Sequence, residues 1–293
     1  MIFRVLHTTT YVYSDPVSIS FHEAVLTPRP TARQTVLKTE LAIDPQVQNL
    51  TARLDYFDNV VTRFTVAGEH RKLVVEAESL LGIGAGEARD WSVGPPLETV
   101  AAQVRRYDTE EDLAAYEYCF ASPHAPRVPS LAAYGRVSFP SGRPFLDGVS
   151  DLMQRIKREF RYDTTVTTIS TPAEEVLANK HGVCQDFAHV MIGCLRSLGA
   201  PARYVSGYLV PRPGVVGAQA SHAWISAYCP RSGWVDFDPT NGAVVSAGHL
   251  TVAWGRDYSD VSPLHGVILG GGKHTVEVAV KVTRAEADGS PPS

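Results

Sequence analysis

Apolar positions along the chain follow two different periods. As far as about Leu81 they fall in short runs rich in β-branched and aromatic residues, at 3–13, 17–26, 35–43, 51–57, 60–66 and 72–79. Turn formers separate these runs: Ser14-Asp15-Pro16, Pro28-Arg29-Pro30, Asp44-Pro45 and Asp58-Asn59. Short strands in succession, with no helix between them, predict an all-β, sandwich-like N-terminal domain. Gly82-Ile83-Gly84-Ala85-Gly86 predicts its boundary, so the β domain is read as 1–86. The stretch 87–145 holds no clean period beyond a possible helix over 109–120, and Pro140-Ser141-Gly142-Arg143-Pro144 breaks it from the next segment.

The period then changes. Val149, Leu152, Ile156 and Phe160 recur at spacings of three and four, which predicts an amphipathic helix over 147–160. A short helix follows Pro172, with Thr171 as its expected cap and Glu174-Glu175 in the first turn. The next helix starts at Cys184 or Gln185. Its buried stripe is Phe187, Val190, Met191, Cys194, Leu195 and Leu198, and Gly199 and Pro201 end it. Strands are expected at 202–210, 220–228 and 233–237, the last two joined by a hairpin loop at 229–233. Val276, Val278, Val280 and Val282 alternate with polar neighbours as a final strand. The reading is an α+β protein, with a core domain over 146–284 that includes this last strand and a disordered tail over 285–293.

Composition narrows the function classes. In 293 residues, 44% are hydrophobic and 20% charged, as in a folded globular protein. A net charge of -4 favours neither nucleic acid nor an anionic membrane as a partner. No apolar run approaches a membrane span, and the N-terminus lacks the pattern of a signal peptide. Four cysteines, Cys119, Cys184, Cys194 and Cys229, are too few for a disulfide scaffold and point to a reducing cytoplasm, although Cys119 and Cys229 could pair.

Candidate chemistry centres on Cys184, where a polar, glycine-containing loop becomes a helix. A thiol attacks as the thiolate, and the unpaired N–H groups and partial positive charge of a helix start favour that anion. The same groups could hold the oxyanion of a tetrahedral intermediate. His222 in Ser221-His222-Ala223-Trp224 is the candidate base. Asp238, at the end of the next strand, is the candidate orienting carboxylate. The two lie nearly equidistant from the hairpin turn, and the carboxylate is expected on the Nδ1 side of the ring. Asp236 shares a face with Asp238 and is its rival; position at the strand end favours Asp238.

Other features have plainer readings. Cys194 sits mid-stripe and is core. His181, Cys184 and His189 lack metal-ligand spacing, so neither a metal nor any other cofactor is expected, and His189 reads as a hydrogen-bonded structural residue. Gly270-Gly271-Gly272-Lys273 lacks the flanking residues of a phosphate loop and reads as a turn. Trp224 and Trp234 read as sheet packing. Arg256, Asp257 and Asp260 read as an internal ion-pair network.

Gly182-Val183-Cys184-Gln185-Asp186-Phe187-Ala188-His189, 198–208, His222-Ala223-Trp224, Phe237-Asp238-Pro239-Thr240-Asn241-Gly242 and 255–263 together resemble the bacterial transglutaminase-like family, a branch of the papain-like cysteine-enzyme superfamily. Tyr11-Val12-Tyr13, Pro28-Arg29-Pro30 and Asp55-Tyr56-Phe57-Asp58-Asn59 resemble its N-terminal β domain, with Asp58 standing where the family usually has glycine. The resemblance implies Cys184 as nucleophile, His222 as base and Asp238 as orienter, with no metal. The expected function is acyl transfer on a peptide or protein amide through a thioester, with hydrolysis as the first choice. The alternatives are joining a glutamine side chain to an amine, as a transglutaminase does, and a non-catalytic peptide-binding module.

Overall fold

The computed structural model describes residues 1–47, 49–84, 90, 92–286 and 290. The chain opens with strands β1 (Ile2–Ala24), β2 (Gln34–Asp44), β3 (Asn49–Leu54) and β4 (Val60–Ile83). Helices α1 (Leu97–Val104), α2 (Glu110–Tyr116), α3 (Pro129–Arg136) and α4 (Phe145–Glu159) come next. Then come β5 (Arg161–Tyr162), α5 (Ala173–Asn179), β6 (His181–Gly182), α6 (Cys184–Ser197), β7 (Ala202–Leu209), β8 (His222–Cys229) and β9 (Gly233–Asp238). The chain closes with β10 (Ala243–Val244), β11 (His249–Gly255), β12 (Leu264–Gly270) and β13 (His274–Arg284). The boundary expected at residue 86 falls among 85–89, and most of the expected tail, 287–289 and 291–293, likewise lies outside the described residues.

β1 and β4 each join two of the runs read separately in the sequence. Ser14-Asp15-Pro16 makes a bulge inside one long strand, not a turn between two: the β1–β4 register shifts between Val12 and Val17. Proline has no N–H to give the ladder and is tolerated at such a bulge. The bulge lets β1 take two partners in succession. Its first half pairs with β13 (Thr9 opposite Val278, Tyr11 opposite Val276) and its second half with β12 (Ile19 opposite Leu269). The segment expected to finish the catalytic core therefore returns to the first sheet and covers the edge of β1 that would otherwise stay unpaired. The glycine-rich run 270–273 is the turn between these two strands, and Gly271 N–H donates to the Pro16 carbonyl at the bulge.

The second sheet is antiparallel in the order β10-β9-β8-β7-β11. Every residue of β7 and β8 is buried. α6 packs on these two strands and is enclosed by α3, α4 and α5. From Asp186 to Arg196 every residue of α6 is buried, as expected of a helix covered on all sides. Burial of Phe187, Met191, Ile192 and Leu195 contributes about 1.5–3 kcal/mol each, which makes α6 a rigid base for its first residue.

Helix starts differ from expectation in one place. α5 begins at Ala173 with Pro172 as its N-cap, while the Thr171 hydroxyl accepts the Thr168 N–H instead of capping the helix. α1 and α3 have no strong period in the sequence because each spans only two turns. The expected helix over 109–120 is α2, capped by Thr109 and continued by a 3-10 turn over Glu117–Cys119. All four cysteines are free, so Cys119 and Cys229 do not pair.

Two amide side chains tie the first sheet region to β11, the edge of the second sheet. Gln34 donates to the Thr251 carbonyl and accepts the Thr251 N–H, at 2.6 and 2.9 Å. Asn59 does the same at Trp254, at 2.8 and 3.0 Å. Each amide stands in for a strand at an exposed edge. Asp55 holds the turn that carries Asn59 by accepting the N–H groups of Phe57 and Asn59, with Asp58 at φ 60°, a conformation Asp tolerates.

Candidate active site

Cys184 is the first residue of α6 and is 9% exposed. The chain reaches it along β6, which pairs with β5 so that Tyr162 lies opposite Gly182. Asp186, in the third helical position, folds back to accept the Val183 N–H at 2.8 Å and the Thr167 hydroxyl at 2.7 Å. That is one half of a capping box; valine at the N-cap cannot supply the other. Gly182 permits it, because a Cβ there would lie 2.5 Å from Asp186 Oδ2. Burial raises the Asp186 pKa, opposed by the bonds from Val183 and Thr167. The first N–H groups of α6 have no intrahelical acceptor, so donors and partial positive charge gather around the Cys184 sulfur.

His222 opens β8 and Asp238 closes β9. One step beyond the Ile225–Phe237 pair puts Asp238 opposite Trp224, so His222 is its diagonal neighbour. His222 Nε2 lies 2.9 Å from Asp238 Oδ2, and both side chains are fully buried. The nitrogen that meets the carboxylate is thus Nε2, not the expected Nδ1. A carboxylate arriving diagonally from the next strand reaches the far end of the ring, and Nδ1 stays near its own backbone. Among the described residues Nδ1 has no hydrogen-bond partner of ordinary geometry, and Cys184 is the group that acts on it. Burial disfavours the charged ring, yet the Cys184 thiolate and the bond to Asp238 outweigh it and raise the His222 pKa to about 10.

Asp238 is saturated. Oδ1 accepts the backbone N–H groups of Thr240 and Asn241, at 2.9 and 3.1 Å. Oδ2 accepts from His222, from the Asn241 side chain at 2.8 Å and from His249 Nε2 at 3.1 Å. Burial opposes ionisation, but these donors hold the Asp238 pKa far below the usual carboxylate range. Asp236 lies elsewhere, beside the buried Arg203, whose guanidinium also stacks over Trp234 and Trp254.

Sequence reasoning did not single out three of these neighbours. His249 is the first residue of β11, and its Nδ1 takes the Ser246 N–H at 3.5 Å, which leaves Nε2–H to donate to Asp238. Asn241 also holds the loop before β8, accepting the Val216 N–H at 2.9 Å and donating to its carbonyl. Gly217, in that loop at φ 90°, lies over the ring: a Cβ there would fall 2.7 Å from His222 Nδ1. Asn241 belongs to the 237–242 run, but His249 carries no local signal.

The contacts match the readings of Cys194 and His189. In the expected internal ion-pair network, Asp257 instead accepts the His124 and Ser259 N–H groups, and the Arg256–Asp260 pair lies at the surface. Cys194 is wholly buried, and burial pushes its pKa up to about 12. His189 accepts the Tyr258 N–H at 3.3 Å and stacks on His124. Arg256 pairs with Asp260 at 2.8 Å.

A β-rich N-terminal sheet joined to a core in which a cysteine-headed helix packs on an antiparallel sheet defines the class of papain-like α+β proteins. Comparison with known proteins agrees. The bacterial transglutaminase-like N-terminal region matches residues 3–81, and the transglutaminase-like superfamily matches residues 138–239. An uncharacterized protein of Mycobacterium tuberculosis (strain ATCC 25618 / H37Rv) is 36% identical over 296 residues, covering 98% of this chain and 94% of that protein. A protein-glutamine gamma-glutamyltransferase of Pseudomonas aeruginosa is 35% identical over 103 residues, 31% of this chain and 15% of the relative. A proposed cysteine protease from Cytophaga hutchinsonii shares the fold with a TM-score of 0.77 at 20% identity, over 99% of this chain and 93% of that one. The chain belongs to the transglutaminase-like superfamily and carries the bacterial transglutaminase-like N-terminal region. Among the described residues, no helix is long and apolar enough to cross a membrane.

Proposed function

We propose that the chain is a cysteine-dependent acyl-transfer enzyme that hydrolyses a peptide or amide bond, with Cys184 as nucleophile, His222 as base and Asp238 as its orienting partner. One observation carries the reading. Asp238 accepts from His222 Nε2, which leaves Nδ1 as the ring's free proton-transfer atom in a buried site next to the Cys184 sulfur. Superfamily membership supports cysteine-based acyl transfer or hydrolysis in general.

The chemistry then runs in two halves. His222 Nδ1 takes the Cys184 proton, the thiolate Sγ attacks the amide carbon as a C–S bond forms, and the carbonyl electron pair moves to oxygen, where helix-start N–H groups stabilise it. His222 Nδ1–H protonates the departing nitrogen as the C–N bond breaks, which leaves a thioester. Water then gives a proton to Nδ1 while its oxygen attacks the thioester carbon. Collapse expels the Cys184 thiolate and releases the acid. Asp238 stays ionised throughout and steadies the imidazolium.

The partial match to a glutamyltransferase favours a second reading, in which an amine replaces water. Incubation with a glutamine peptide and a labelled primary amine separates the two. Ammonia release without incorporation is expected for the hydrolase. Incorporation that outpaces such release supports the transferase instead.

A further inference from the structure

β13 has an apolar face that is only half covered. Val282 is 6% exposed, but Val276 and Val278 on the same face are 48% and 41% exposed. They open into a cavity of about 620 Å³ between the first sheet and the core. Strand alternation builds its wall: His7, Thr9, Tyr11 and Tyr13 line it from β1, and Val278, Val276 and His274, the β13 partners of the last three, line it from the neighbouring strand. Among the described residues that line it there is no lysine, arginine, aspartate or glutamate. Burial keeps its two most enclosed histidines, His7 and His22, neutral, with pKa values lowered to about 4.

The far side of this cavity is the flank of the candidate active site. Ser221, which lines it, is the residue before His222. Val280 N–H donates to the Gln219 carbonyl at 3.2 Å, so β13 is bonded to the loop that delivers the base. Tyr258 lines the cavity and meets Tyr204, whose ionisation is opposed first by burial and next by Cys184. Ile169 lines it from the 163–171 loop, which Thr167 ties to Asp186 at the head of α6.

We infer that this cavity is the substrate side-chain pocket of the site, and that it takes a bulky uncharged aromatic or aliphatic side chain next to the reacting amide. The inference rests on the acyl-transfer reading for its place in catalysis, but not for binding. The volume is that of a small-ligand pocket, large enough for one such side chain and adjoining backbone. Tyr11 and Tyr13, stacked with ring centroids 6.2 Å apart, supply an aromatic wall. A charged side chain entering there would lose its hydration among apolar and aromatic groups, with no carboxylate, lysine or arginine among the described lining residues to offset it and with His265 already facing Glu23 at 3.3 Å.

Binding to Cys184→Ala protein tests this without any need for turnover. N-acetylated peptide amides of one length, carrying Phe, Leu, Ala, Asp or Lys at a single position, are titrated while backbone amide shifts are followed. The Phe and Leu peptides should bind roughly tenfold or more tighter than the Ala, Asp and Lys peptides. Val278→Trp, which fills the space, should abolish that preference. Tyr11→Ala, which removes the wall, should weaken the Phe peptide selectively and decides the matter if Val278→Trp does not fold. Equal affinity across the series, or a preference untouched by Tyr11→Ala, overturns the pocket. Neither result bears on thioester formation at Cys184, which is measured separately in the intact enzyme.

Discussion

His249 places Nε2 3.1 Å from Asp238 Oδ2, the same oxygen that receives His222 at 2.9 Å. Two imidazoles on one buried carboxylate oxygen fix that oxygen from two sides, and His249 cannot itself reach over to the thiol without leaving Asp238. It is a positioning residue. Replacing it removes one charge-assisted bond and lets the carboxylate turn. His249→Ala should lower kcat/KM by about 10–100-fold, mainly through kcat. His249→Gln, which keeps a donor, should recover part of the loss. A purely structural role would move the melting temperature and leave the kcat against KM split and the pH profile unchanged.

The protonation of His222 depends on its neighbours. Burial lowers its pKa, and the Cys184 thiolate is the largest influence raising it, to about 10. Cys184→Ala should therefore lower the titration midpoint of the His222 ring, followed by its ring-proton NMR signals. The effect on stability has a definite sign. With the folded value raised above about 6.5, the contribution of charged His222 is complete below that pH and fades as pH rises toward about 10. The stability gap between wild type and His222→Ala should narrow over this window. A gap that widens with rising pH contradicts the assignment.

Gly217 sits where a methyl group would press on the base, 2.7 Å from His222 Nδ1, at a φ of 90° that side chains rarely adopt. Gly217→Ala should leave the overall fold intact by circular dichroism and lower the rate of Cys184 acylation by about tenfold or more through ring displacement. Unchanged acylation would mean that Nδ1 is not the working atom.

Arg196 is wholly buried on α6, donating to the Ala202 and Arg256 carbonyls and to the Ser122 hydroxyl, with Asp257 as its nearest opposite charge. Arg196→Ala leaves those acceptors and the Asp257 carboxylate without their donor. It should destabilise the protein by about 3–5 kcal/mol in denaturant unfolding. A loss below about 1 kcal/mol would show that the buried charge is not a fastening point between α6 and the 256–260 segment.

Legibility in the sequence was set by how local each cause is. The start of α6 is written in adjacent residues, because a loop glycine and a following apolar stripe place Cys184 at the helix head. The β8–β9 hairpin brings His222 near Asp238 within 16 residues, and a short turn fixes that spacing. His249 was invisible for the opposite reason. It comes from β11, which adjoins β7 and not β9, so only the assembled sheet brings it to Asp238. The return of β12 and β13 to β1 was hidden likewise: alternation in 276–282 announces a strand but not its partner, and β1 lies more than two hundred residues away. The ring nitrogen that meets Asp238 depended on a diagonal offset that strand assignment alone does not give.

The central claim is that His222, held by Asp238, makes Cys184 a nucleophile. Its most direct test is the rate of Cys184 alkylation by iodoacetamide as a function of pH, read by intact mass in wild type, His222→Ala and Asp238→Asn. Wild-type Cys184 should react faster than a model thiol at and below neutral pH, and His222→Ala should return it to the rise near pH ~8.5 of an ordinary cysteine. Asp238→Asn should fall between them. A wild-type profile no faster than the model thiol, with the same pH dependence as His222→Ala, would contradict it.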